Sequence, residues 1–264
     1  MVSKSVRCST MISLVALPKL DVRLGFALES QRISPIWLLS ARLRASVRAR
    51  TSDTRLPLVA RYFDVHPDNP QSRTIAQVVE LIRADGLVAY PTDSCYALGC
   101  QLDNREGLDR IRDIRQLDSR HHFTLVCADF NQLGRFVHLD NVIFRALKAS
   151  TPGQYTFIVP ATRDVPRRML HPKRRTVGVR IPDHAVAQAI LAGLGEPLVS
   201  STLIMPGERQ PLTQGWEIME RLDHLLDGVV DSGQCGEIPT TVVDLSDGDA
   251  LIVRRGAGDP ARFE

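Results

Sequence analysis

The sequence VGVRIPDHAVAQAILAGLGEPLVSSTLI, residues 177–204, contains a strand, a helix and a second strand in direct succession. Val177–Ile181 and Leu198–Ile204 are short runs rich in apolar and β-branched residues, as is typical of buried strands. Ala185–Leu194, which lies between them, is rich in alanine and leucine, two residues with high helix propensity. Because strand and helix alternate over so short a distance, this segment predicts an α/β fold.

The same mixture of elements extends outward to cover residues 60–264. The helix predicted over 72–82 has Ser72 as its expected N-cap and Asp85-Gly86 as its expected end, with glycine as the left-handed terminator. The predicted strands are Leu87–Tyr90, Phe123–Cys127, Tyr155–Val159, Val177–Ile181, Leu198–Ile204, Thr240–Asp244 and Leu251–Arg254, and the other predicted helices cover 107–117, 141–149, 185–194 and 216–226. No Pro/Gly/Ser-rich linker divides the block. We therefore predict one α/β domain with at least seven strands in a mixed, twisted sheet and about five helices.

Residues 1–55 have a different composition from the rest of the chain. They contain ten basic and three acidic residues, a net charge of +7, whereas the remaining residues contain 23 basic and 27 acidic ones, a net charge of −4. The apolar pattern of this leader is irregular. We interpret residues 1–59 as a poorly ordered basic extension or an unused upstream start, with a mitochondrial transit peptide as the compositional alternative. The near-neutral remainder does not indicate a general nucleic-acid binder.

Composition excludes several classes of protein. The 264 residues, of which 44% are hydrophobic, suffice for one large or two small folded domains. No apolar run approaches the 18 residues that a membrane span requires, so we expect no membrane association. The five cysteines include no C-x-x-C pair. They are best interpreted as reduced, mostly buried thiols, which predicts a cytoplasmic protein.

Polar side chains follow the strand that ends at Pro91, and open α/β sheets place ligands at such strand ends. The hydroxyls of Thr92, Ser94 and Tyr96 come directly after this proline. From the residues alone, hydroxyl caps within a local turn are the favoured interpretation, and a ligand site is the alternative.

Two further hydroxyl groups could serve a ligand. Pro152-Gly153 predicts a type II turn that delivers Thr156 to the start of a strand, although an ordinary turn would have the same sequence. Ser200–Thr202 places three hydroxyls in an otherwise apolar strand, and Thr240-Thr241 and Arg254–Gly256 accompany them. A buried hydroxyl needs a partner, and the chain's own backbone and a bound ligand are equally good candidates.

Several cations lie on or next to the predicted helix over 107–117. Arg112 and Arg115 are three residues apart and share a helix face, where two guanidinium groups could grip a triphosphate. A solvated face paired with nearby aspartates is the interpretation that spacing favours. The group comprises Arg110, Arg112, Arg115, Arg120, His121 and His122, with Asp109, Asp113 and Asp118 as the partners. The adjacent histidines lack a third ligand at metal spacing, so no metal site is predicted.

No Walker A loop, G-x-G-x-x-G, G-x-S-x-G or H-E-x-x-H motif is present in the sequence. If ATP binds, it binds without a P-loop.

The motifs together resemble the YrdC-like threonylcarbamoyl-AMP synthase family in their order and spacing. The resemblance covers nearly all of residues 60–264 and is closest to the YciO branch. The segments that carry it are Pro91–Cys100 (PTDSCYALGC, against P-T-E-T-V-Y-G-L-G-C), Thr151–Thr156 (against P-G-x-x-T), Val177–Pro182 (against V-G-V-R-x-P), Thr240–Asp244 (against S-T-V-V-D) and Ile252–Gly256 (against I-x-R-x-G).

This resemblance implies a twisted mixed sheet with flanking helices around a central cavity. It also implies synthesis of L-threonylcarbamoyladenylate from ATP, L-threonine and bicarbonate, with Mg²⁺ accompanying ATP and no tightly bound cofactor. The product would serve the threonylcarbamoyladenosine modification of tRNA. Carried over by position, Thr92, Tyr96 and Arg180 would bind threonine, and Arg115, Thr156, Ser201, Thr202, Thr240 and Arg254 would bind the nucleotide. No catalytic nucleophile is implied, and the chemistry would depend on positioning and charge neutralisation.

Two departures from the family pattern support a second hypothesis. The region of the family's S-A-N triplet is Ser201–Ile204 and contains no asparagine, and Arg115 stands near the position of the family's K-x-R lysine. Both fall on residues that the synthases use for ATP. The alternative is therefore a weak or inactive relative that binds nucleotide or double-stranded RNA, so tRNA and double-stranded RNA are further candidate partners.

Overall fold

A computed structural model of the chain describes residues 59–118 and 123–264. The backbone divides into Met1–Thr54 and Arg55–Glu264, and all of the described residues belong to the second unit. The predictions for residues 1–58, including Cys8, and for Arg120, His121 and His122 lie outside the described residues. No helix in the described part combines the length and the apolar character needed to cross a bilayer.

Ten strands of the described chain form one mixed sheet, and six α-helices flank it. The strands are β1 (Arg61–Asp64), β2 (Val88–Tyr90), β3 (Ala97–Gln101), β4 (Thr124–Val126), β5 (Tyr155–Pro160), β6 (Thr176–Arg180), β7 (Leu198–Thr202), β8 (Gly228–Asp231), β9 (Thr241–Asp244) and β10 (Leu251–Arg254). The helices are α1 (Ser72–Arg83), α2 (Arg105–Arg115), α3 (Phe130–Phe136), α4 (Asn141–Ser150), α5 (Ala185–Leu194) and α6 (Gly215–Leu222), with 3₁₀ turns at Arg167–Met169 and Pro260–Phe263. The predicted α/β class and mixed sheet are confirmed.

The spatial order of the strands is β1-β8-β2-β3-β7-β4-β6-β5-β9-β10. The neighbours β1/β8, β8/β2, β4/β6 and β5/β9 run parallel, and the other neighbours run antiparallel. Strands β7, β4, β6, β5 and β9 lie side by side in the half of the sheet that ends at β10, and this half carries the site described below.

Each face of the sheet has its own apolar core, because successive strand residues point to opposite faces. Leu125 of β4 belongs to one cluster and Val126 to the other, and Val199 and Leu198 of β7 divide in the same way. Helices α2, α3, α4 and α6 contribute to the first cluster. Only α1 and α5 contribute to the second, and they pack against each other. Helix α1 contacts β1, β3 and β8, and the cluster that it forms with α5 reaches Val126 of β4 and Leu198 of β7 but includes no residue of β5, β6 or β9.

Three strands and one helix were not predicted from the sequence. Strands β1, β3 and β8 have four or five residues each, and α3 has seven. The first four residues of β3, ALGC, are small and apolar without alternation, and they follow a turn that obscures the start of the strand. Strands β3 and β8 form between two neighbouring strands and β1 pairs with β8, so their pairing depends on the sheet more than on local propensity.

Several local predictions are wrong in detail. Helix α1 begins at Ser72, so the N-cap position belongs to Gln71, which makes no side-chain capping bond. The left-handed residue after α1 is Asp85, with φ of 62°, and not Gly86. The helix predicted over 216–226 is too long at its C-terminal end, because α6 ends at Leu222.

The Pro152-Gly153 pair does not form the predicted type II turn. The Thr151–Pro152 peptide bond is cis, and Gly153 does not have the positive φ that a type II turn requires.

Asp227, just before β8, connects four elements of the sheet's first half. Its carboxylate accepts hydrogen bonds from the Leu87 amide and from Arg110 Nη1 of α2, both at 2.7 Å. Its backbone N–H donates to Leu87 O at 2.8 Å, and its carbonyl accepts from the Arg61 amide at 3.0 Å. The side chain of Asp227 is only 10% exposed, so these bonds are made largely out of contact with water.

We expect Asp227→Ala to lower the free energy of unfolding by about 3 kcal/mol, because it leaves a buried amide and the Arg110 guanidinium without their acceptor. Urea denaturation measures the loss. The matched control is Asp109→Ala, which removes an exposed partner of Arg112 and should cost less than about 1 kcal/mol. Equal losses in the two variants would contradict this account of Asp227.

Candidate functional site

A cavity of about 540 Å³ lies on the sheet face that α1 and α5 only partly cover. Ala97 and Val126, which belong to the apolar cluster of those helices, also line the cavity. The cavity therefore lies on the same face of the sheet as α1 and α5, next to their apolar cluster. The predicted central cavity is present.

Five neighbouring strands supply the lining at alternate positions, because every second side chain along a strand points to the same face. The pairs are Thr124/Val126, Thr156/Ile158, Gly178/Arg180, Ser200/Thr202 and Thr240/Val242. The other lining residues are Ala97, Arg115, Asp118, Ser201, Val253 and Arg254. One wall therefore combines hydroxyls and arginines with aliphatic side chains.

A row of directly paired residues crosses this face. Thr124 of β4 is opposite both Ser200 of β7 and Gly178 of β6, and Gly178 is opposite Ile158 of β5. A Cβ atom at Gly178 would lie 3.1 Å from Thr124 Oγ1 and 3.2 Å from Phe123 O, closer than an ordinary contact. Glycine at this position leaves the centre of the row open to a ligand.

Three arginines, Arg115, Arg180 and Arg254, converge on the cavity, whose lining also includes the Asp118 carboxylate. Burial, and secondarily the charge of Arg254, lowers the pKa of Arg115 to about 10. Burial also lowers the pKa of Arg254, and the charge of Arg180 contributes to that shift. Arg115 and Arg254 are therefore partly desolvated guanidinium groups that repel each other. An anion with several charges would relieve both costs.

Hydroxyl groups and carbonyls hold two of these arginines in place. Arg254 donates to Thr240 O from Nε at 3.0 Å and from Nη2 at 2.8 Å, and Nη2 also lies 3.1 Å from Thr240 Oγ1. The Thr240 hydroxyl in turn lies 2.8 Å from the Thr156 hydroxyl. Arg115 donates to Ser201 Oγ and, at 3.3 Å, to Ile204 O.

Arg180 forms an ion pair with Asp93, and both side chains are more than nine-tenths buried. Two polar atoms of the pair, Arg180 Nε and Asp93 Oδ2, are buried without a hydrogen-bond partner in the described structure. Gln154 Nε2 donates to the Asp93 carbonyl, which holds this turn from the β5 side. Burial lowers the pKa of nearby His184, although the charge of Asp93 opposes the shift.

Thr92 and Tyr96 do not line the cavity. The Thr92 hydroxyl donates to Cys95 O at 2.7 Å and accepts from the amides of Ser94 and Cys95, which is the local capping arrangement that the residues alone favoured. The Tyr96 hydroxyl donates towards the carboxylate of Asp231 at 3.0 Å and lies 2.9 Å from the carbonyl of Gly233. Their assignment to threonine binding stays a prediction.

Seven of the nine predicted site residues do come together in one cavity. They are Arg115, Thr156, Arg180, Ser201, Thr202, Thr240 and Arg254. The neighbouring Arg112 pairs with Asp109, as the structural interpretation of that helix predicted, whereas Arg110 pairs with Asp227, which is not one of the predicted partners.

Sequence analysis missed several lining residues, among them Thr124, Val126, Ile158 and Val242. Period-two alternation from Arg180 back to Gly178, or from Thr156 on to Ile158, could have indicated them. Aliphatic side chains of this kind offer packing for the apolar part of a ligand, beside the three arginines.

The cysteines have no evident chemical role. Cys95, Cys100, Cys127 and Cys235 are free and buried, as predicted. Burial raises the pKa of Cys100, Cys127 and Cys235 to about 12, which keeps these thiols protonated and unreactive at neutral pH.

Comparison with known proteins places these features in a family. The family described as Telomere recombination (Sua5/YciO/YrdC) matches residues 80–256. The uncharacterised protein YciO of Escherichia coli K12 is 46% identical over 205 residues, which are 78% of this chain and all of that protein. A threonylcarbamoyl-AMP synthase of Vibrio vulnificus is 32% identical over 139 residues, 52% of this chain and 74% of the enzyme.

Solved structures agree with the sequence comparison. The crystal structure of E. coli YciO has a TM-score of 0.76 and covers 78% of this chain and all of its own. Pyrococcus abyssi Sua5 in complex with L-threonine has a TM-score of 0.68 at 23% identity, over 74% of this chain and 57% of that one. At this identity, the second likeness shows a shared fold.

The Asp93–Arg180 pair can be tested by a double-mutant cycle. Asp93→Ala and Arg180→Ala should each lower the free energy of unfolding by about 3 kcal/mol, since each leaves a buried charge unpaired. The double variant should lose less than the sum, with a coupling above about 1.5 kcal/mol in urea denaturation. The exposed Arg174–Asp247 pair is the control and should couple by less than about 0.5 kcal/mol. Similar coupling in both cycles would contradict the importance of burial here.

Proposed function

The chain belongs to the Sua5/YciO/YrdC family, and from this membership we propose that it synthesises L-threonylcarbamoyladenylate from ATP, L-threonine and bicarbonate. The family includes threonylcarbamoyl-AMP synthases, which supports a nucleotidyltransferase-type enzyme at the family level. The observation that carries the proposal is the convergence of Arg115, Arg180 and Arg254 on one cavity with hydroxyl and aliphatic walls.

In this proposal Arg115 and Arg254 bind the phosphates of ATP. Both are held by protein oxygens, so their guanidinium groups are oriented before the ligand arrives. The hydroxyls of Thr156, Ser201, Thr202 and Thr240 are hydrogen-bond partners for the ribose and phosphates. Val242 and Val253 provide apolar contact area for the base.

Arg180 binds the carboxylate of L-threonine. Its pairing with Asp93 fixes one side of the guanidinium group, while the residue still lines the cavity. The P. abyssi Sua5 structure, which has the same fold, contains L-threonine. Thr92, which the family resemblance also assigns to threonine binding, borders this end of the cavity only through its turn next to Asp93, and the Tyr96 hydroxyl contacts Asp231 and Gly233 instead.

The chemistry needs no covalent enzyme intermediate. The threonine amine adds to CO₂ derived from bicarbonate and loses a proton, which forms a carbamate. A carbamate oxygen then attacks the α-phosphorus of ATP, an O–P bond forms, and the bond from that phosphorus to the bridging oxygen breaks to release pyrophosphate. Arginines near the phosphates stabilise the charge that accumulates on the leaving group, and holding both substrates in one cavity lowers the entropic barrier.

Mg²⁺ would accompany ATP in this reaction. Among residues 59–118 and 123–264, no group of three His, Cys, Asp or Glu side chains could hold a metal by itself. This fits a hard cation that is bound mainly by nucleotide phosphates and water. The Asp118 carboxylate and the Thr202 hydroxyl line the cavity and would hold the ion, which would supply charge neutralisation.

The product would feed the threonylcarbamoyladenosine modification of tRNA in the cytoplasm. The alternative is a relative that binds nucleotide or double-stranded RNA with little turnover. It is favoured by the absence of the family asparagine near Ser201 and by the engagement of Arg115 with Ser201 and Ile204, which leaves fewer donors for phosphate.

We expect the purified protein to release pyrophosphate from ATP and Mg²⁺ only when both threonine and bicarbonate are present. Arg180→Ala should lower kcat/KM for threonine by about 100-fold, the scale of a lost positioning contact, with little change in KM for ATP. A coupled pyrophosphate assay measures both parameters. Arg174→Ala, an exposed arginine outside the cavity, is the control and should leave them unchanged.

Wild-type release no faster than that of Arg180→Ala would reject the synthase. In that case, equilibrium dialysis with ATP distinguishes the alternatives. Retained ATP binding that Arg254→Ala weakens would support the nucleotide-binding relative, whereas no ATP binding would exclude both.

A further inference from the structure

A second group of arginines lines a groove outside the candidate site. Arg105 and Arg112 of α2 and Arg167 and Arg168 of the first 3₁₀ turn surround a volume of about 540 Å³, together with Asp109 and Pro166. We call these six residues the arginine groove. They share no residue with the cavity that holds Arg115, so the proposed reaction does not account for them.

Two of the four arginines are held in fixed positions. Arg112 donates to Asp109 Oδ1 at 2.8 Å and to Arg168 O at 3.2 Å, and its guanidinium carbon lies 5.1 Å from the centre of the Phe123 ring. Arg168 donates from Nη2 to Leu102 O at 3.0 Å. The positive charges at the base of the groove are therefore preorganised.

The groove has unused hydrogen-bond donors. Arg168 Nε is buried and has no acceptor within the described structure. In the same part of the chain, the side chains of Arg105 and Arg167 form no hydrogen bond or ion pair, and both residues are exposed. A buried donor without an acceptor is uncommon in a folded protein and indicates a missing partner.

The described lining of the groove does not balance the charge of its arginines. Four guanidinium groups are accompanied by one carboxylate, Asp109, which Arg112 already engages. The chain from residue 56 onward carries a net charge of −4, so this concentration of positive charge is local and runs against the charge of the domain. Clustered cations repel one another and concentrate anions from solution.

We propose that the arginine groove is a second anion site, which binds a compact phosphate species such as inorganic phosphate or pyrophosphate. Planar guanidinium groups match the oxygens of a phosphate bidentately, and several negative charges are needed to offset the local excess. Arg112 and Arg168 form the base of the site, and Arg105 and Arg167 close on the anion from the rim. The proposal stands independently of the synthase reaction.

The test is calorimetric titration of pyrophosphate into the full chain. Arg105→Gln/Arg167→Gln removes the two rim cations, which make no described contact that the fold would lose. The matched control is Arg163→Gln/Lys173→Gln, which makes the same charge change outside the groove, on the connection between β5 and β6 that also carries Arg167. Thermal denaturation of both variants should match the wild type.

We expect the groove variant to lose one binding equivalent, or at least tenfold in affinity for it, while the control retains wild-type binding. Arg254→Ala should weaken a second pyrophosphate-binding equivalent, which lies in the cavity, and should leave binding in the groove unchanged. This difference separates the two sites. If pyrophosphate affinity fell equally in the groove and control variants, the loss would reflect only the change in net charge, and this would overturn the proposal. An unchanged pyrophosphate isotherm with weaker binding of a short RNA oligonucleotide would overturn it too, because the groove would then contact a polymer backbone.

Discussion

Incomplete cover on one face of a ten-stranded sheet is the constraint on which the site depends. The apolar cluster of α1 and α5 includes residues of β1, β8, β2, β3, β7 and β4, and among the described residues it includes none of β6, β5 and β9. Strand alternation then points every second side chain of β4, β5, β6, β7 and β9 into the same open space. Residues that are far apart in sequence meet because the sheet orders their strands as neighbours.

The polar residues in this space carry an energetic cost that a purely structural role does not explain. Three guanidinium groups share one cavity, and burial holds the pKa of Arg115 near 10. The Asp93–Arg180 pair leaves one buried donor and one buried acceptor unsatisfied. Strained and imperfectly paired groups of this kind concentrate at functional sites, where a ligand supplies the missing partners. The Asp227 network, by contrast, satisfies its carboxylate with the Leu87 amide and Arg110 and serves to join elements.

The long, patterned elements and seven of the cavity residues could be predicted from the sequence, but the contacts between distant parts of the chain could not. The apolar, β-branched run Val177–Ile181 predicted a strand, and β6 supplies Gly178 and Arg180 to the cavity. The partner of Arg180 is 87 residues away, and that of Tyr96 is 135 residues away. No local pattern encodes such pairs. Tyr96 therefore appeared as a polar residue available for a ligand, whereas its hydroxyl is occupied by Asp231.

The central claim is that one cavity seats a nucleotide beside an amino acid. The most direct measurement is a crystal structure of the protein with α,β-methylene ATP and L-threonine. This account predicts triphosphate density between Arg115 and Arg254, and threonine carboxylate density at Arg180. Nucleotide or amino acid bound on a different surface, with this cavity filled only by solvent at saturating ligand, would contradict it.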